Sequence, residues 1–342
     1  EGTPGRIQAA GRPAGVDGVL TNATDDARWM AAAIAIAERG RGRTAPNPNV
    51  GCLIVQDGRV AGRGWTQPGG RPHAEAVALD QASDNVRGAT VYTTLEPCAH
   101  ASRRGPDCTG RLIAAGVARV VAAIEDPDPR TAGRGFARLG EAGIAVDVGQ
   151  HAAEARASMA GFLTRQSLGR PFVTLKLATS ADGRIAAPPG ADRWITGPAA
   201  RAHGHVERTR HEAILVGRGT LEADSPRLDV RLPGLEDRVP RRLLLTHGVA
   251  PDGWDALAEP QGIAGLTGVD HVLVEGGAET AAAFLSADLI DRIQWYRAPM
   301  VFGQGRDVAT ELGLPALDPQ HWRLTDTRAF APDTLEIYER LR

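Results

Sequence analysis

The chain has 342 residues, room for two domains at roughly 100–200 residues each. Hydrophobic residues make up 42% and charged residues 23%, a globular balance that excludes a disordered protein. The formal net charge of −2 supplies no basic surplus for nucleic acid or an anionic membrane, and no apolar run approaches the roughly 18 residues of a membrane span.

Residues 1–23 are rich in Gly, Ala and Pro, lack the apolar core of a secretory signal, and read as a disordered tail. Thr24 or Asp25 caps a predicted helix over Ala27–Arg39, which Gly40 ends. Pro46-Asn47-Pro48-Asn49 is a turn-rich loop. Val50–Val55 is a short apolar strand, and Asp57-Gly58 signals a hairpin into Val60–Trp65. A helix at Ala74–Gln81, a strand at Ala89–Thr94, a helix holding Leu112–Ala115 and a strand at Arg119–Ile124 follow. Gly135–Ala142 is helical and Ile144–Val148 a strand. This alternation predicts an α/β layered domain over 24–150 with a largely parallel sheet. Ala152–Arg165 reads as a connecting helix within a linker over 151–170, broken by Gly169-Arg170-Pro171. A second α/β domain over 171–342 has strands at Phe172–Leu177, Ala213–Val216, Arg242–Leu245, His271–Glu275 and Ile293–Ala298, with helices at about Ala199–Thr209 and Glu279–Ala287.

Chemistry concentrates first at His73-Ala74-Glu75, Pro97-Cys98 and Cys108. One imidazole and two thiolates supply three of the four positions of tetrahedral Zn2+ and leave the fourth for water, as a catalytic site requires. Zinc lowers the pKa of that water, and Glu75, two residues past the histidine, is placed to carry its proton without ligating the metal. His-x-Glu followed by Pro-Cys and a further cysteine is the zinc-deaminase signature. Cys52 lies in an apolar strand and reads as a packed small side chain. Three cysteines cannot all pair within one chain, which points to a reducing, cytoplasmic setting.

The runs Thr44-Ala-Pro-Asn-Pro-Asn-Val-Gly-Cys, Pro72-His-Ala-Glu, Thr94-Leu-Glu-Pro-Cys-Ala-His, Ile113-Ala-Ala-Gly-Val-Ala-Arg-Val-Val-Ala, Glu125-Asp-Pro-Asp-Pro and Gly133-Arg-Gly resemble the bifunctional riboflavin-biosynthesis deaminase/reductase family. The second half adds Leu175-Lys-Leu-Ala-Thr-Ser-Ala-Asp-Gly-Arg-Ile-Ala, Arg193-Trp-Ile-Thr-Gly, Ala213-Ile-Leu-Val-Gly-Arg-Gly-Thr, Asp224-Ser-Pro-Arg-Leu-Asp-Val-Arg and Val274-Glu-Gly-Gly-Ala, which resemble its reductase domain. The resemblance implies a three-layer α/β domain like cytidine deaminase, then an α/β domain like dihydrofolate reductase. The implied reactions are zinc-dependent loss of an amino group from a ribosylated diaminopyrimidinone phosphate, then NADPH-dependent reduction of ribosyl to ribityl. A homo-oligomer, dimer or tetramer, is also implied.

Carried over by position, the resemblance assigns substrate contacts to Asn47, His100, Asp192, Arg208, Leu228, Arg231 and Glu275. It assigns cofactor contacts to Ala178, Trp194, Thr220, Asp224, Gly276, Gly277 and Ala278. Asn47 also suits a turn between prolines, and each arginine also suits a surface ion pair. Glu275-Gly276-Gly277 between a strand and a helix makes a phosphate cradle, and Arg208 and Arg231 have the guanidinium forks that phosphate oxygens match.

The chain departs from the family twice. Cys98 and Cys108 are ten positions apart where nine is usual, and Arg103 or Arg104 stands where a basic residue meets the substrate phosphate. Thr246 and His247 replace an acid and a serine after the strand at Arg242–Leu245, and roughly one strand–helix unit is absent before Val272. That shortening leaves open a second reading, a deaminase with a degenerate reductase domain acting on a related pyrimidine. A nucleic-acid-editing deaminase lacks the basic stripe it would need, and a non-enzymatic zinc scaffold does not account for the open fourth position beside Glu75.

Overall fold

The computed structural model describes residues 23–82, 86–100, 105–186, 194–306, 308 and 320–342. Nearly all of the predicted tail, Arg103, Arg104 and Asp192 lie outside the described residues.

The first half comprises α1 (Ala23–Ala37), β1 (Gly51–Gln56), β2 (Arg59–Trp65), α2 (Ala74–Ala82), β3 (Thr90–Thr93), α3 (Cys108–Ala115), β4 (Arg119–Ala122), α4 (Arg134–Glu141) and β5 (Ala145–Val148). Helix α1 starts at Ala23, so Thr24 and Asp25 fall inside it rather than at its cap, and it ends three residues before Gly40. Asp57 and Gly58 take φ of 50° and 71°, as a two-residue type I′ hairpin turn demands. The sheet order is β2-β1-β3-β4-β5. The β1–β2 and β1–β3 pairs are antiparallel and the β3–β4 and β4–β5 pairs parallel. The sheet is therefore mixed, not largely parallel: a two-residue turn can join only antiparallel neighbours.

Strand alternation sorts the layers. Gly51 and Tyr92 face α1, where Tyr92 Oη donates to Asp26 Oδ1 at 2.7 Å. Arg119 of β4 grips the same carboxylate with two nitrogens at 2.9 and 2.8 Å, tying α1 to the sheet. Gly62 and Gly64 face α2 on the opposite side, so close that a Cβ would lie 2.1–2.2 Å from the carbonyls of Ala78 and Ala74. Cys52 shares that face and is fully buried, and burial pushes its thiol pKa well up, as a packed side chain requires.

The predicted connecting helix is two helices, α5 (Ala152–Ser158) and α6 (Ala160–Leu168). Met159 leaves helical geometry at φ −100°, ψ 20°, while its side chain is fully buried in the first core. The second half holds β6 (Phe172–Thr179), α7 (Pro198–Arg208), β7 (Ala213–Gly217), α8 (Arg218–Asp224), β8 (Arg241–Leu245), β9 (Asp255–Leu257), β10 (His271–Val274), α9 (Ala278–Ser286), β11 (Arg292–Arg297), β12 (Trp322–Phe330) and β13 (Asp333–Arg340). Its eight strands run β12-β13-β11-β6-β10-β7-β8-β9. The six from β11 to β9 are parallel, and β13 and β12 extend the edge antiparallel.

The stretch between β8 and β10, read from the sequence as lacking roughly one strand–helix unit, does hold structure. A three-residue edge strand, β9, and a 3₁₀ turn at Pro260–Gly265 occupy that stretch, with Ile263 fully buried in the second core. Among the described residues, no helix is long and apolar enough to cross a membrane.

The tightest approach is at Gly51, where a Cβ would lie 2.0 Å from the Ala33 carbonyl oxygen. Helix backbone cannot yield to that contact, so Gly51→Ala is expected to cost about 3 kcal/mol or more. A denaturant titration measures it as a lowered midpoint with unchanged slope.

Candidate active sites

His73 precedes α2 and accepts the first turn's Val77 N–H on its carbonyl at 3.1 Å, so its ring stands at the helix start. Glu75 lies in that first turn and is 4% exposed. Cys108 is the first residue of α3, a turn earlier than the predicted helix. Asp107 caps α3, its carboxylate accepting from Gly110 N–H at 2.7 Å. Cys98 sits in the loop after β3 and accepts from Cys108 N–H at 3.3 Å.

These placements bring three donor atoms together. His73 Nδ1 is 3.6 Å from Cys98 Sγ and 3.5 Å from Cys108 Sγ. Zinc bonds of about 2.3 Å to sulfur and 2.0–2.1 Å to nitrogen, at a tetrahedral angle, put nitrogen and sulfur about 3.6 Å apart. The three residues fit zinc, and they form the one metal-competent group of His, Cys, Asp or Glu side chains among the described residues. The extra residue between the cysteines does not disturb the cluster.

Without a metal, the three groups share protons among themselves. Hydrogen bonds from Cys108 and His73 overcome burial and pull the Cys98 thiol down to about 4, while Cys108, whose thiol donates to Cys98, is pushed up. Burial is the largest influence on His73 and opposes its protonation, but the hydrogen bond to Cys98 together with the charges of Glu75 and Cys98 raises the ring. Burial also raises Glu75, the direction a proton carrier working near neutrality needs.

The cluster lies in a cavity of about 510 Å³ whose walls include Asn47, Arg71, Glu75, His100, Asp126 and Arg130. Asn47 Nδ2 donates to the Gly70 carbonyl at 2.8 Å and lies 3.3 Å from His73 Nε2, which leaves its oxygen for a ligand. His100 Nδ1 is 3.2 Å from Thr131 Oγ1. Arg130 is held by Asp128, whereas Arg71 has no ion pair among the described residues.

Sequence reasoning passed over Glu96. Its buried carboxylate accepts from the N–H groups of Asp126 (3.2 Å), Gly133 (2.9 Å), Gly135 (2.8 Å) and Phe136 (3.2 Å). It fastens the cysteine-bearing loop to the start of α4, where a negative charge is favoured. Nothing local in the sequence marks it except its place beside Pro97-Cys98.

A second cavity, of about 590 Å³, opens beside the carboxyl ends of β7 and β10, where open α/β sheets bind ligands. It gathers Trp194, Arg208, Thr220, Asp224, Leu228, Arg231 and Glu275 from the predicted set. The Arg208 fork is engaged by Glu275, Nε to Oε1 at 2.8 Å and Nη2 to Oε2 at 2.9 Å, with Nη1 on the Asp229 carbonyl at 2.9 Å. Arg231 is largely exposed and meets Asp229 at 3.1 Å. Gly276, Gly277 and Ala278 stand behind the wall at the β10–α9 turn. Gly277 N–H donates to Thr220 Oγ1 at 3.0 Å, and a Cβ on Gly276 would lie 2.5 Å from Thr280. Ala178 packs with Tyr296 in a small core cluster and does not line the cavity. No described residue from Pro251 to Gly268 lines it either, so that stretch is not part of this wall.

The family model for the cytidine and deoxycytidylate deaminase zinc-binding region matches residues 23–124, and that for the RibD C-terminal domain matches 171–252 and 263–335. The riboflavin biosynthesis protein RibD of Escherichia coli is 38% identical over 90% of this chain and 97% of its own length. The chain belongs to the RibD family. Among solved RibD structures, that of Acinetobacter baumannii is 34% identical, with a TM-score of 0.83 over 94% of this chain and 100% of that one. A Thermotoga maritima structure described as a diaminohydroxyphosphoribosylaminopyrimidine deaminase/5-amino-6-(5-phosphoribosylamino)uracil reductase is 29% identical, with a TM-score of 0.84 over 93% and 99%. The first half therefore has the cytidine-deaminase-like fold and the second the RibD C-terminal fold, similar to dihydrofolate reductase.

Two outcomes follow from the geometry. Purified protein is expected to carry one zinc per chain by elemental analysis, and Cys108→Ser or His73→Ala to carry less than about a tenth of that. Burial pushes the Asp126 carboxyl up to about 6 from an ordinary 3.8. Folding thus favours its neutral form, and the stability associated with that form is lost as pH rises through about 6. Asp126→Asn keeps the acceptor for Asp128 N–H at 2.9 Å. Its melting midpoint is expected to match the native one near pH 4 and to exceed it above pH 6.5, by the equivalent of about 1–3 kcal/mol.

Proposed function

We propose that this chain is a bifunctional enzyme of riboflavin biosynthesis. Residues 24–150 deaminate a ribosylated diaminopyrimidinone phosphate, and residues 171–342 reduce its ribosyl group to ribityl. The observation that carries the reading is the convergence of His73 Nδ1 with two sulfurs at 3.5 and 3.6 Å beside the buried Glu75.

His73, Cys98 and Cys108 would hold zinc, which when bound supplies the Lewis acidity that activates a water for attack on the carbon bearing the amino group. Glu75 takes the proton of the attacking water and returns it to the departing nitrogen, so that ammonia leaves as the new carbonyl forms. Its enclosure raises its proton affinity toward that of the groups it exchanges with. The oxygen of Asn47, which has no partner among the described residues, orients the pyrimidine edge, and His100 lines the same pocket. With Arg103 and Arg104 outside the described residues, Arg71 is the basic group on the cavity wall whose fork is open to a phosphate.

The second cavity fits a phosphate-bearing cofactor and substrate: five basic side chains, Lys176, Arg201, Arg208, Arg227 and Arg231, face two carboxylates. The glycine turn at Gly276-Gly277, where a Cβ on Gly276 would lie 2.5 Å from Thr280, places the start of α9 beside Thr220. Trp194, Thr220 and Asp224 would hold NADPH, whose chemistry there is hydride donation to the ribosyl C1′. Glu275 and the Asp229 carbonyl occupy the Arg208 fork, and the exposed Arg231 receives the phosphate end of the substrate. This intact, basic cavity supports an active reductase over a degenerate one.

Glu75→Gln preserves shape and removes the proton carrier. It is expected to keep its zinc while the rate of ammonia release falls by about 10²–10⁴. Ammonia release beside metal content checks this, and retained turnover removes Glu75 from its role.

A further inference from the structure

The deaminase cavity is not closed by the first half alone. Phe162 and Gln166, one helical turn apart on α6, form part of its wall. Phe162 is buried, whereas Gln166 is exposed and its amide has no hydrogen-bond partner among the described residues.

The neighbouring face of the same helix is fixed to the second half. Gly161 N–H donates to His271 Nε2 at 3.1 Å, and a Cβ at Gly161 would lie 2.3 Å from that ring. Arg165 donates to the carbonyls of Ala264 (2.9 Å), Leu266 (3.0 Å) and Val269, in the segment leading to β10. One rigid helix thus presents Phe162 and Gln166 to the first cavity and Gly161 and Arg165 to the second sheet.

We propose that Phe162 and Gln166 are specificity-determining residues of the deaminase, forming the wall against which the ribosyl-phosphate half of the substrate lies. The proposal rests on reading the first cavity as the deaminase pocket. Chemistry sets the substrate's direction: its amine-bearing carbon must reach the buried floor at Glu75 and the metal-competent cluster. The ribosyl phosphate then extends toward the exposed mouth, where Gln166 and Arg71 stand. Phe162 gives the sugar an apolar backing, and the free amide of Gln166 gives its hydroxyls a hydrogen-bond partner.

The test is steady-state deamination of the phosphoribosyl substrate by zinc-loaded, full-length enzyme. Gln166→Ala is expected to raise KM about five- to tenfold with kcat within twofold, the loss of one hydrogen bond to a neutral group. Gln166→Glu, nearly isosteric, is expected to raise KM further at low ionic strength, with the excess shrinking as salt is added, because it sets a carboxylate beside a phosphate. Native enzyme that releases no ammonia overturns the reading of the cavity and this proposal with it. Native enzyme that is active, with a Gln166→Glu KM within twofold of native at low salt, overturns this proposal alone.

Discussion

Two helix starts meeting at one point constrain the first half of the molecule. His73 stands before α2 and Cys108 opens α3, and the fold places their donor atoms 3.5 Å apart. That distance is set by backbone. Val77 N–H holds the His73 carbonyl, the Asp107 cap begins α3 at Cys108, and Cys108 N–H reaches Cys98 Sγ at 3.3 Å. The third donor depends on Glu96, whose two oxygens gather four amide protons from the turns after β4 and the start of α4. A buried carboxylate is tolerable only when so satisfied. In exchange it holds the Pro97-Cys98 segment against α4, where Gly135 comes so near that a Cβ would lie 2.4 Å from the Pro97 carbonyl. Donor spacing suited to zinc is thus built from capping, amide–carboxylate bonds and glycine contacts.

What the sequence reveals follows from how local each signal is. His73, Glu75 and Cys98 were legible because their chemistry is compressed into short motifs next to a helix start and a strand end. The Asp57-Gly58 turn was legible because positive φ at both positions has few residue solutions. Strands β6, β7 and β10 announced themselves as apolar runs because both faces are covered. Helix α8 did not, since it buries no side chain and carries Gly219. Strand β12 lies at the sheet edge almost wholly exposed, and β13 did carry an alternation, Leu335 and Ile337 buried, that went unread. The mixed first sheet, the break at Met159 and the anchoring of Glu96 all depend on partners distant in sequence. So does the pairing of Arg208 with Glu275, 67 positions away, which turns an arginine suited to phosphate into one whose fork is already engaged.

The short connection between β8 and β10 lies at the edge of the sheet. Strand β9 pairs only with β8, at the far edge, while the second cavity opens two strands inward beside β7 and β10. Trimming an edge removes pairing on one side of one strand and leaves the central parallel strands intact. The buried Ile263 of the 3₁₀ turn covers the core there. Thr246 accepts from Arg218 Nη2 at 2.6 Å, which fastens the end of β8 to the start of α8.

The join between the halves admits less change. Helix α6 must satisfy two surfaces at once, and the residue types along it reflect that. Gly161 meets the His271 ring where no side chain fits, Arg165 needs its length to reach three carbonyls, and Phe162, one position on, turns to the other half. Gly42, at φ 76°, repeats the pattern on the opposite side of the join: a Cβ there would lie 2.7–2.8 Å from the backbone of Thr209, Arg210 and His211. Two glycine contacts of this kind, one on α6 and one in the loop after α1, leave little room for rocking, because close-packed backbone resists compression. The position of α6 over the first cavity is thus tied to the second sheet.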